Sequence, residues 1–496
     1  MTSNKTDEES SLHTAIEDTK QHQGQEEQQH QKTEMPQEVF VDLLNPQNWS
    51  SKKKLFNFIV IFINAFVSFF SSSIYVPAIL SIQEFFDTNI VVINATIALY
   101  LMISGIAPLF WAPLSQRIGR KPTYIIAMLL YVIFSVVCGV SKNIGLFFAF
   151  RLLQGVAASA AQAIGGGSVA DMYNFQSRGK MMSIFLLGTV FGPVLGPIVG
   201  GYINERLNWQ WSFYLMAIIG GVISLLNIFI LSESLYQPNH NPIRDESKSK
   251  LSNWWANFKF NPFTSLLLLT HIDVLLGCLP MSISFGLFYC LVTVLEPTFA
   301  PLYGFTSGSV GLAFLGGGIG NLLGALICAL TLDRVHMRLI GAKRAELERN
   351  GGEYKHGMFS EQRLVPSPIA IFFIVVGFIF YGWFLQAKFI WIAPLIGMGI
   401  LGFGLFSLIS MSTNYVIEGY VPQAAAMTSV CNFLRCVFGM MFSLLSSTIN
   451  QSLGYGWTYT MAALISLGIS LICFPLLMKY GYKWRSNPIF SWSTTK

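Results

Sequence analysis

The chain has 496 residues, of which 53% are hydrophobic and only 11% charged, and its formal net charge is +6. Soluble globular proteins carry about 25% charged residues, so this composition excludes a soluble enzyme or binding domain as the main body of the chain. The remaining charges lie between long apolar runs, which is typical of an integral membrane protein.

Residues 1–50 form a polar tail that is rich in Gln, Glu and His. Ten acids and three lysines give this tail a net charge of −7, so the rest of the chain carries +13. The composition predicts disorder. The histidines are better explained as part of a solvated, low-complexity segment than as metal ligands. The seven cysteines lie in apolar runs without a CxxC pair, so neither a disulfide framework nor a zinc site is expected.

The following apolar runs predict twelve membrane-spanning helices, because about 20 residues are needed to cross the hydrocarbon core. These runs cover residues 55–77, 89–111, 122–140, 144–168, 181–203, 211–232, 274–295, 309–331, 369–386, 391–413, 424–446 and 458–478. A polar break between the sixth and seventh runs predicts two pseudo-symmetric bundles around a central cavity. The predicted fold is all-α, with six-helix bundles at 51–232 and 274–479, a linker at 233–273, and tails at 1–50 and 480–496.

Lys and Arg are distributed unequally between the two sides of the predicted bundle. Of the 31, 23 lie in segments that join even-numbered to odd-numbered spans or that flank the first and last spans, and three lie on the opposite side. Because positively charged loops stay in the cytoplasm, both termini are predicted to be cytoplasmic. An amphipathic patch around Trp254, Trp255 and Phe258 is predicted to lie at the inner membrane interface.

Between spans two and three lies the segment Arg117-Ile-Gly119-Arg120-Lys121. Its glycine permits a tight turn, and its basic residues stay at the cytoplasmic face. Simple positive-inside anchoring explains Arg120 and Lys121 about as well as a functional role does.

In span four, Arg151, Gln154 and Gly155 share one helical face. Arg151 lies roughly 10 Å below the outer edge of the span, at 1.5 Å per residue. An ionised arginine at this depth must face protein or a wet cavity, which favours a functional role over snorkelling to the outer interface.

In span five, four glycines recur at every fourth residue and two prolines interrupt the helix. Four-residue spacing places the glycines on one face, where they allow a second helix to approach closely. The prolines each remove a backbone donor and bend the helix. A packing seam would explain one such spacing, whereas four in register favour a mechanical role. The residues are Gly188, Gly192, Pro193, Gly196, Pro197 and Gly200.

Span eleven contains the second cation within a span, Arg435, roughly 16 Å from the inner end. Thr428, Asn432 and Arg435 share one face, which we place toward the cavity, although a buried ion pair with an acid of another span remains the alternative. Aromatic residues could line a cavity for large amphipathic cations. The candidates are Tyr100, Phe285, Tyr289, Tyr381 and Trp383.

A proton-coupled carrier needs a titratable group that responds to access and substrate. Span one contains no acid, and the candidate acids lie near span ends. They are Asp171, Asp273, Glu296 and Glu418. Asp171 is the first choice because of the motif around it, and cytoplasmic capping is its alternative role.

The glycine-proline stretch of span five resembles motif C, the antiporter motif of the major facilitator superfamily. Residues 112–122 resemble motif A of that superfamily, and residues 151–155 resemble motif B. Two departures in motif A, Ala112 and Gln116, replace the family's Gly and the Asp that joins a charge relay. Several further segments, among them Asn432-Phe433-Leu434-Arg435, resemble fungal twelve-span drug:proton antiporters, closest to the quinidine-resistance branch, over about residues 45–485.

The resemblance implies a monomeric plasma-membrane antiporter that exchanges protons for drugs, weak acids, polyamines or related metabolites by rocking of its halves. Vacuolar and prospore membranes are alternative locations, and no cofactor, metal or nucleic acid is expected. Two other readings stay open, a facilitative or uptake carrier of the same fold and a non-transporting nutrient sensor. An enzyme is not expected, because the sequence contains no Ser/His/Asp set, Walker loop or metal spacing.

Overall fold

A computed structural model describes residues 45–235, 262–349, 359–420 and 424–485. Within these ranges the chain is helical and contains no strand. The described residues form thirteen α-helices, which are α1 Ser51–Ser73, α2 Ile79–Phe85, α3 Ile90–Ile106, α4 Pro108–Ile118, α5 Arg120–Val140, α6 Ile144–Met172, α7 Phe175–Arg206, α8 Trp209–Phe229, α9 Ile272–Tyr303, α10 Ser307–Arg349, α11 Ser367–Gln386, α12 Ile392–Gly419 and α13 Ala424–Arg485. Short 3₁₀ helices cover Pro46–Asn48, Val76–Ala78, Pro262–Thr270 and Ser360–Leu364.

Side-chain caps mark where several helices begin. The Asn89 side chain accepts a hydrogen bond from the Val91 N–H at 3.1 Å before α3, and Asn143 accepts one from the Gly145 N–H at 2.7 Å before α6. Ser50 Oγ lies 3.4 Å from the Lys53 nitrogen at the start of α1. Each cap satisfies a backbone donor that the first helical turn leaves free. Polar residues therefore set the starts of helices whose bodies are almost entirely apolar.

Nine of the described helical segments are long and apolar enough to cross a membrane, or ten when α3 and α4 are counted as one span with a 40° bend. Within α13, Gly454 adopts φ 71° and ψ 167°, so this 62-residue helix contains a break and holds both of the last two predicted runs. Helix α7 carries the fifth predicted run, with Pro193 and Pro197 in its interior. Each of the twelve predicted apolar runs therefore overlaps a helix.

The helices form two groups that meet along two seams. Helices α1 to α8 pack mainly with one another, and so do α9 to α13. Helix α7 packs along α10, and α3 packs along α13, which joins the first half to the second. We call the end of the bundle where α1 begins and α13 ends the tail end, and the end where α1 finishes the distal end.

The predicted tail 1–50 and linker 233–273 lie largely outside the described residues, and so does the predicted patch around Trp254, Trp255 and Phe258. At the other terminus, α13 continues past residue 480, where the sequence predicts a tail. Trp484 packs there against the hydrophobic core, because aromatic residues extend the apolar surface of the helix.

Candidate functional site

Four glycines of α7 lie against α1 along one helical face. A methyl group added at Gly192 would lie 2.6 Å from the Phe70 nitrogen, and one at Gly196 would lie 2.3 Å from Ser73 Oγ. At Gly200 it would lie 1.6 Å from the carbonyl oxygen of Ile74, whereas at Gly188 the nearest atom, in the Phe62 ring, is 3.1 Å away. The glycine row lets the two backbones touch, and the contact is tightest toward the distal end.

Helix α7 also contacts the second half of the molecule. A methyl group added at Gly201 would lie 2.3 Å from the carbonyl oxygen of Ser307, and one at Gly311 of α10 would lie 2.3 Å from that of Pro197. A methyl group at Gly318 would lie 2.6 Å from the Val194 side chain. Because α7 is wedged between α1 and α10, a change in its bend reaches both halves.

Arg151 is wholly buried in α6 and is held by carbonyls and aromatic rings. Its Nη2 donates to the carbonyl oxygen of Ser71 at 2.8 Å, and its Nη1 donates to Gln154 Oε1 at 2.5 Å. The guanidinium carbon lies 4.0 Å from the Tyr75 ring centre and 4.3 Å from that of Tyr100. No carboxylate of the described residues forms an ion pair with it. Ring faces and a backbone dipole therefore stabilise this cation.

The other two residues of the predicted span-four motif hold Arg151 and its neighbours in place. Gln154 donates from Nε2 to Ser135 Oγ at 2.6 Å, which orients the oxygen that accepts from Arg151. Gly155 leaves room for the Tyr100 ring, since an added methyl group would lie 3.0 Å from it. The three residues thus form one buried unit.

Arg435 of α13 stands at the seam between the halves. Its Nη2 donates to Asn432 Oδ1 at 2.8 Å, and Asn432 donates to the carbonyl oxygen of Ser104 in α3 at 3.2 Å. The guanidinium carbon lies 5.0 Å from the Phe285 ring centre, and that ring lies 4.8 Å from the ring of Tyr289. This arginine therefore links helices α3, α9 and α13.

Helix α3 connects the surroundings of the two arginines, because the carbonyl oxygen of Ser104 accepts from Asn432 and Ser104 Oγ donates to the carbonyl oxygen of Tyr100 at 2.9 Å. The Tyr100 ring lies against Arg151, and Asn432 accepts from Arg435. The residues around the two arginines come from four helices and from the segment that follows α1. We call them the central cluster, which consists of Tyr75, Tyr100, Arg151, Phe285, Tyr289, Asn432 and Arg435.

Glu296 is buried near the distal end of α9, between the two halves. Its carboxylate accepts from the Leu80 N–H of α2 at 3.3 Å and lies 3.5 Å from Ser307 Oγ. Asn204 of α7 donates to Ser81 Oγ and to Ser307 Oγ, both at 2.9 Å. These contacts close the distal end of the bundle in the described structure.

At the tail end, the predicted motif between spans two and three binds Asp171. Arg120 Nε donates to Asp171 Oδ2 at 3.1 Å, and Arg120 Nη1 donates to Ser115 Oγ at 2.7 Å. The structure therefore places Asp171 in a partly buried ion pair within the first half. Its predicted role as the proton carrier stays a prediction.

Glu233, in the segment after α8, caps the start of α5. Its carboxylate accepts from the backbone N–H groups of Arg120 at 2.9 Å and Lys121 at 3.0 Å. Gly119 has φ 102°, and a methyl group there would lie 2.5 Å from Glu233 Oε2. Glycine is therefore required both for the backbone conformation and for the approach of the carboxylate.

The tail end of the second half carries its own charge network. Glu418 of α12 accepts from Arg363 Nε at 2.8 Å, and its other oxygen lies 2.9 Å from His336 Nε2. Arg485 at the end of α13 pairs with Glu361. These pairs join α10, α12, α13 and the segment before α11, so the predicted proton candidate Glu418 has two cationic or hydrogen-bonding partners.

Asp273, the fourth predicted acid, accepts from the Tyr420 hydroxyl at 3.0 Å on both oxygens. Burial raises the pKa of Tyr420, and the neighbouring carboxylate raises it further. The tyrosine therefore stays protonated and acts as the donor.

Two predicted cavity residues, Tyr381 and Trp383, lie away from the central cluster. Tyr381 is wholly buried inside the second half, with its ring 4.9 Å from that of Tyr459. Trp383 is 44% exposed, and its indole donates to Thr460. Helix α11 packs mainly against α12 and α13, so its residues face the interior of the second half or the outside of the bundle.

Sequence patterns do not single out Glu233, His336, Glu361, Arg363 or Arg485. A positional signal exists, because Glu233 directly follows the sixth apolar run and Arg485 follows the twelfth. In a chain with two similar halves, charges that follow the last apolar run of each half are candidates for paired roles.

The chain is similar to known proteins over most of its length. Residues 61–443 match the family model of the Major Facilitator Superfamily. Efflux pump radE of Floropilus chiversii is 32% identical over 469 residues, which cover 90% of this chain and 84% of the relative. MFS transporter cpaT of Aspergillus oryzae is 33% identical over 463 residues, which cover 90% of each chain.

Solved structures share the arrangement of helices at low sequence identity. The xylose transporter XylE from E. coli, in a partially occluded inward open conformation, aligns with a TM-score of 0.60 and 14% identity over 87% of this chain and 98% of its own. A peptide transporter POT aligns with a TM-score of 0.61 and 13% identity over 90% and 99% of the two chains. At such identities the likeness concerns the fold alone.

Proposed function

The chain belongs to the Major Facilitator Superfamily, and we propose that it is a proton-coupled antiporter that exports drugs or amphipathic metabolites, such as weak acids and polyamines, by alternating access. It is a multi-pass membrane transporter and not an enzyme. One relative with 32% identity is called an efflux pump, which supports the outward direction.

The observation that carries the proposal is the glycine row of α7. Helix α7 packs against α1 on one side and against α10 on the other. At the tightest point, a methyl group added at Gly200 would lie 1.6 Å from the carbonyl oxygen of Ile74. The contact between α7 and α1 therefore leaves no space for a leak. Two internal prolines give the same helix a preferred bend. Such a seal suits a carrier that must hold a gradient, and less so a carrier that only equilibrates its substrate.

Proton coupling needs an acid whose surroundings change when the halves move. Of the four predicted acids, Asp171 and Glu418 pair with cations at the tail end, and Asp273 is bonded to Tyr420. Glu296 instead joins the two halves through backbone and hydroxyl groups. Within this proposal Glu296 is therefore the coupling residue, because opening of the distal end would expose it to water.

We further propose that the protein acts as a monomer in the plasma membrane, with both termini in the cytoplasm. The bias of Lys and Arg toward the segments at the tail end supports this orientation. The vacuolar and prospore membranes are the alternative locations.

The experiment uses the full chain in sealed proteoliposomes with an imposed proton gradient. Accumulation of fluorescein, an anion, and rhodamine 123, a cation of the same ring system, is followed together with the internal pH. Uphill movement of either dye that stops with a protonophore, accompanied by counterflow of protons, is the expected result. Movement that only equilibrates would replace antiport by facilitated transport, and movement absent for both dyes would contradict export of such compounds.

A further inference from the structure

The central cluster holds two guanidinium groups and no acid among the described residues. Neither Arg151 nor Arg435 takes part in an ion pair of the described structure. Glu296 lies about 36 Å along α9 from the tail end and Arg435 about 16 Å along α13, at 1.5 Å per residue, so roughly 20 Å of bundle length separates them. The Glu296 carboxylate accepts hydrogen bonds from the Leu80 N–H and the Ser307 hydroxyl, and neither arginine donates to it in the described structure.

Each arginine also keeps one buried donor without a partner. The Nε atoms of Arg151 and Arg435 are shielded from solvent and make no hydrogen bond in the described structure. A buried N–H group without a partner is costly, and ring faces and dipoles stabilise a cation without neutralising its charge. Within the described part of the chain, the central cluster therefore has two positive charges without a counter-charge and two N–H donors without an acceptor. A bound anion would supply both the negative charge and the acceptors.

The walls of the central cluster are flat and aromatic. Tyr75 and Tyr100 stack on Arg151, while Phe285 lies beside Arg435 and next to Tyr289. Arg435, Phe285 and Tyr289 are only half-buried, so protein does not seal this side of the cluster. A guanidinium group binds a carboxylate or sulfonate through paired hydrogen bonds, and aromatic faces pack against a planar ring.

We propose that the central cluster binds an organic anion, an aromatic or amphipathic compound whose acidic group is held by Arg151 and Arg435 while its ring packs on the neighbouring tyrosines. The inference rests on the proposed function in taking the cluster as the transport site, and it narrows the substrate class to anions. A polyamine or another cation would meet two like charges there.

The test measures equilibrium binding to the full chain in nanodiscs, by fluorescence anisotropy of fluorescein and of rhodamine 123. Tighter binding of fluorescein to the unmodified protein is expected. Arg151→Gln and Arg435→Gln are each expected to weaken its binding at least about tenfold, since each removes charge-assisted hydrogen bonds. Lysine at either position should retain part of the affinity. Lys142→Gln, which removes an exposed cation near the distal end, is the matched control and should change little.

Preference of the unmodified protein for rhodamine 123, or no measurable binding of fluorescein, would overturn the inference without any variant having to fold. Equal binding of fluorescein by both glutamine variants and the control would also overturn it. The results also distinguish failure of the antiport proposal from failure of the anion site. Fluorescein binding without proton-dependent transport would contradict antiport and leave the anion site standing. Proton-dependent transport of rhodamine 123 without fluorescein binding contradicts the anion site alone.

Discussion

Gly200→Ala tests the point at which α7 and α1 come closest. The added methyl carbon would lie 1.6 Å from the carbonyl oxygen of Ile74 and 2.6 Å from its carbonyl carbon. Ordinary van der Waals contact begins near 3.4 Å, and both neighbouring atoms belong to the backbone. Helix α7 must therefore move away from α1 by roughly 2 Å near the distal end, because rotation of a side chain cannot relieve the clash.

The expected cost follows from this displacement. Overpacking of a well-packed site lowers stability by about 1–3 kcal/mol, while replacing a helical glycine by alanine offsets about 0.5–1 kcal/mol of this loss. The protein should therefore still fold, with a modestly lower unfolding temperature. The transport rate should fall more strongly, by about tenfold, which corresponds to about 1.4 kcal/mol in the barrier, because the displaced helix no longer closes against α1.

The assay combines thermal unfolding in detergent with proton-driven dye uptake in proteoliposomes. Gly221→Ala is the matched control, since a methyl group there has nothing within 4 Å. Gly188→Ala should lie closer to this control than Gly200→Ala does, because the nearest atoms are the Phe62 ring at 3.1 Å, which can shift, and the Phe62 carbonyl oxygen at 3.3 Å, which need move only a few tenths of an ångström. If Gly200→Ala transports as well as Gly221→Ala, or if Gly188→Ala is the more damaging change, the reasoning from helix contact is refuted.

Three further changes test individual contacts. Glu233→Gln should lower the free energy of unfolding by about 1 kcal/mol, because the carboxylate caps two N–H groups of α5, whereas the exposed Glu348→Gln should change it little in the same denaturation experiment. Glu296→Gln should abolish the dependence of exchange on the proton gradient while fluorescein binding persists, and unchanged dependence would remove Glu296 from the coupling role. Asp171→Asn should keep proton-dependent exchange, because Asp171 forms an ion pair with Arg120. Loss of proton-dependent exchange in this variant would return the coupling role to Asp171.

The sequence alone determines the helices and the superfamily. Hydrocarbon cannot satisfy backbone polar groups, so each long apolar run must close its own hydrogen bonds as a helix, and this constraint acts locally. The family model matches 61–443, which confirms the superfamily; the roles of the motif residues at 112–122, 151–155 and 188–200 stay predictions. Helical spacing also places the four α7 glycines on one face, and the structure shows that face against α1.

The narrower predictions depend on more than spacing. The drug:proton antiporter branch, the proton residue and the substrate remain proposals, since relatives at about 30% identity establish the superfamily and not the branch.

The predicted cavity residues show how far helical position alone predicts the direction of a side chain. Helical position alone does not tell whether Trp383 faces the cleft or the outside of the bundle, and the packing of α11 decides for the outside.

Only the tertiary structure decides which groups interact with each charged side chain. The sequence identifies Arg151 and Arg435 as charges within membrane spans, but whether an acid neutralises them depends on which helices pack beside them. The structure surrounds both with tyrosine and phenylalanine rings, and it assigns Asp171 to Arg120 and Glu418 to Arg363. Arg120 and Asp171 are 51 positions apart in the chain, and Arg363 and Glu418 are 55 positions apart, so no local pattern encodes these pairs. Helix formation is a local response to the absence of water, whereas charge pairing follows from the three-dimensional packing of distant helices.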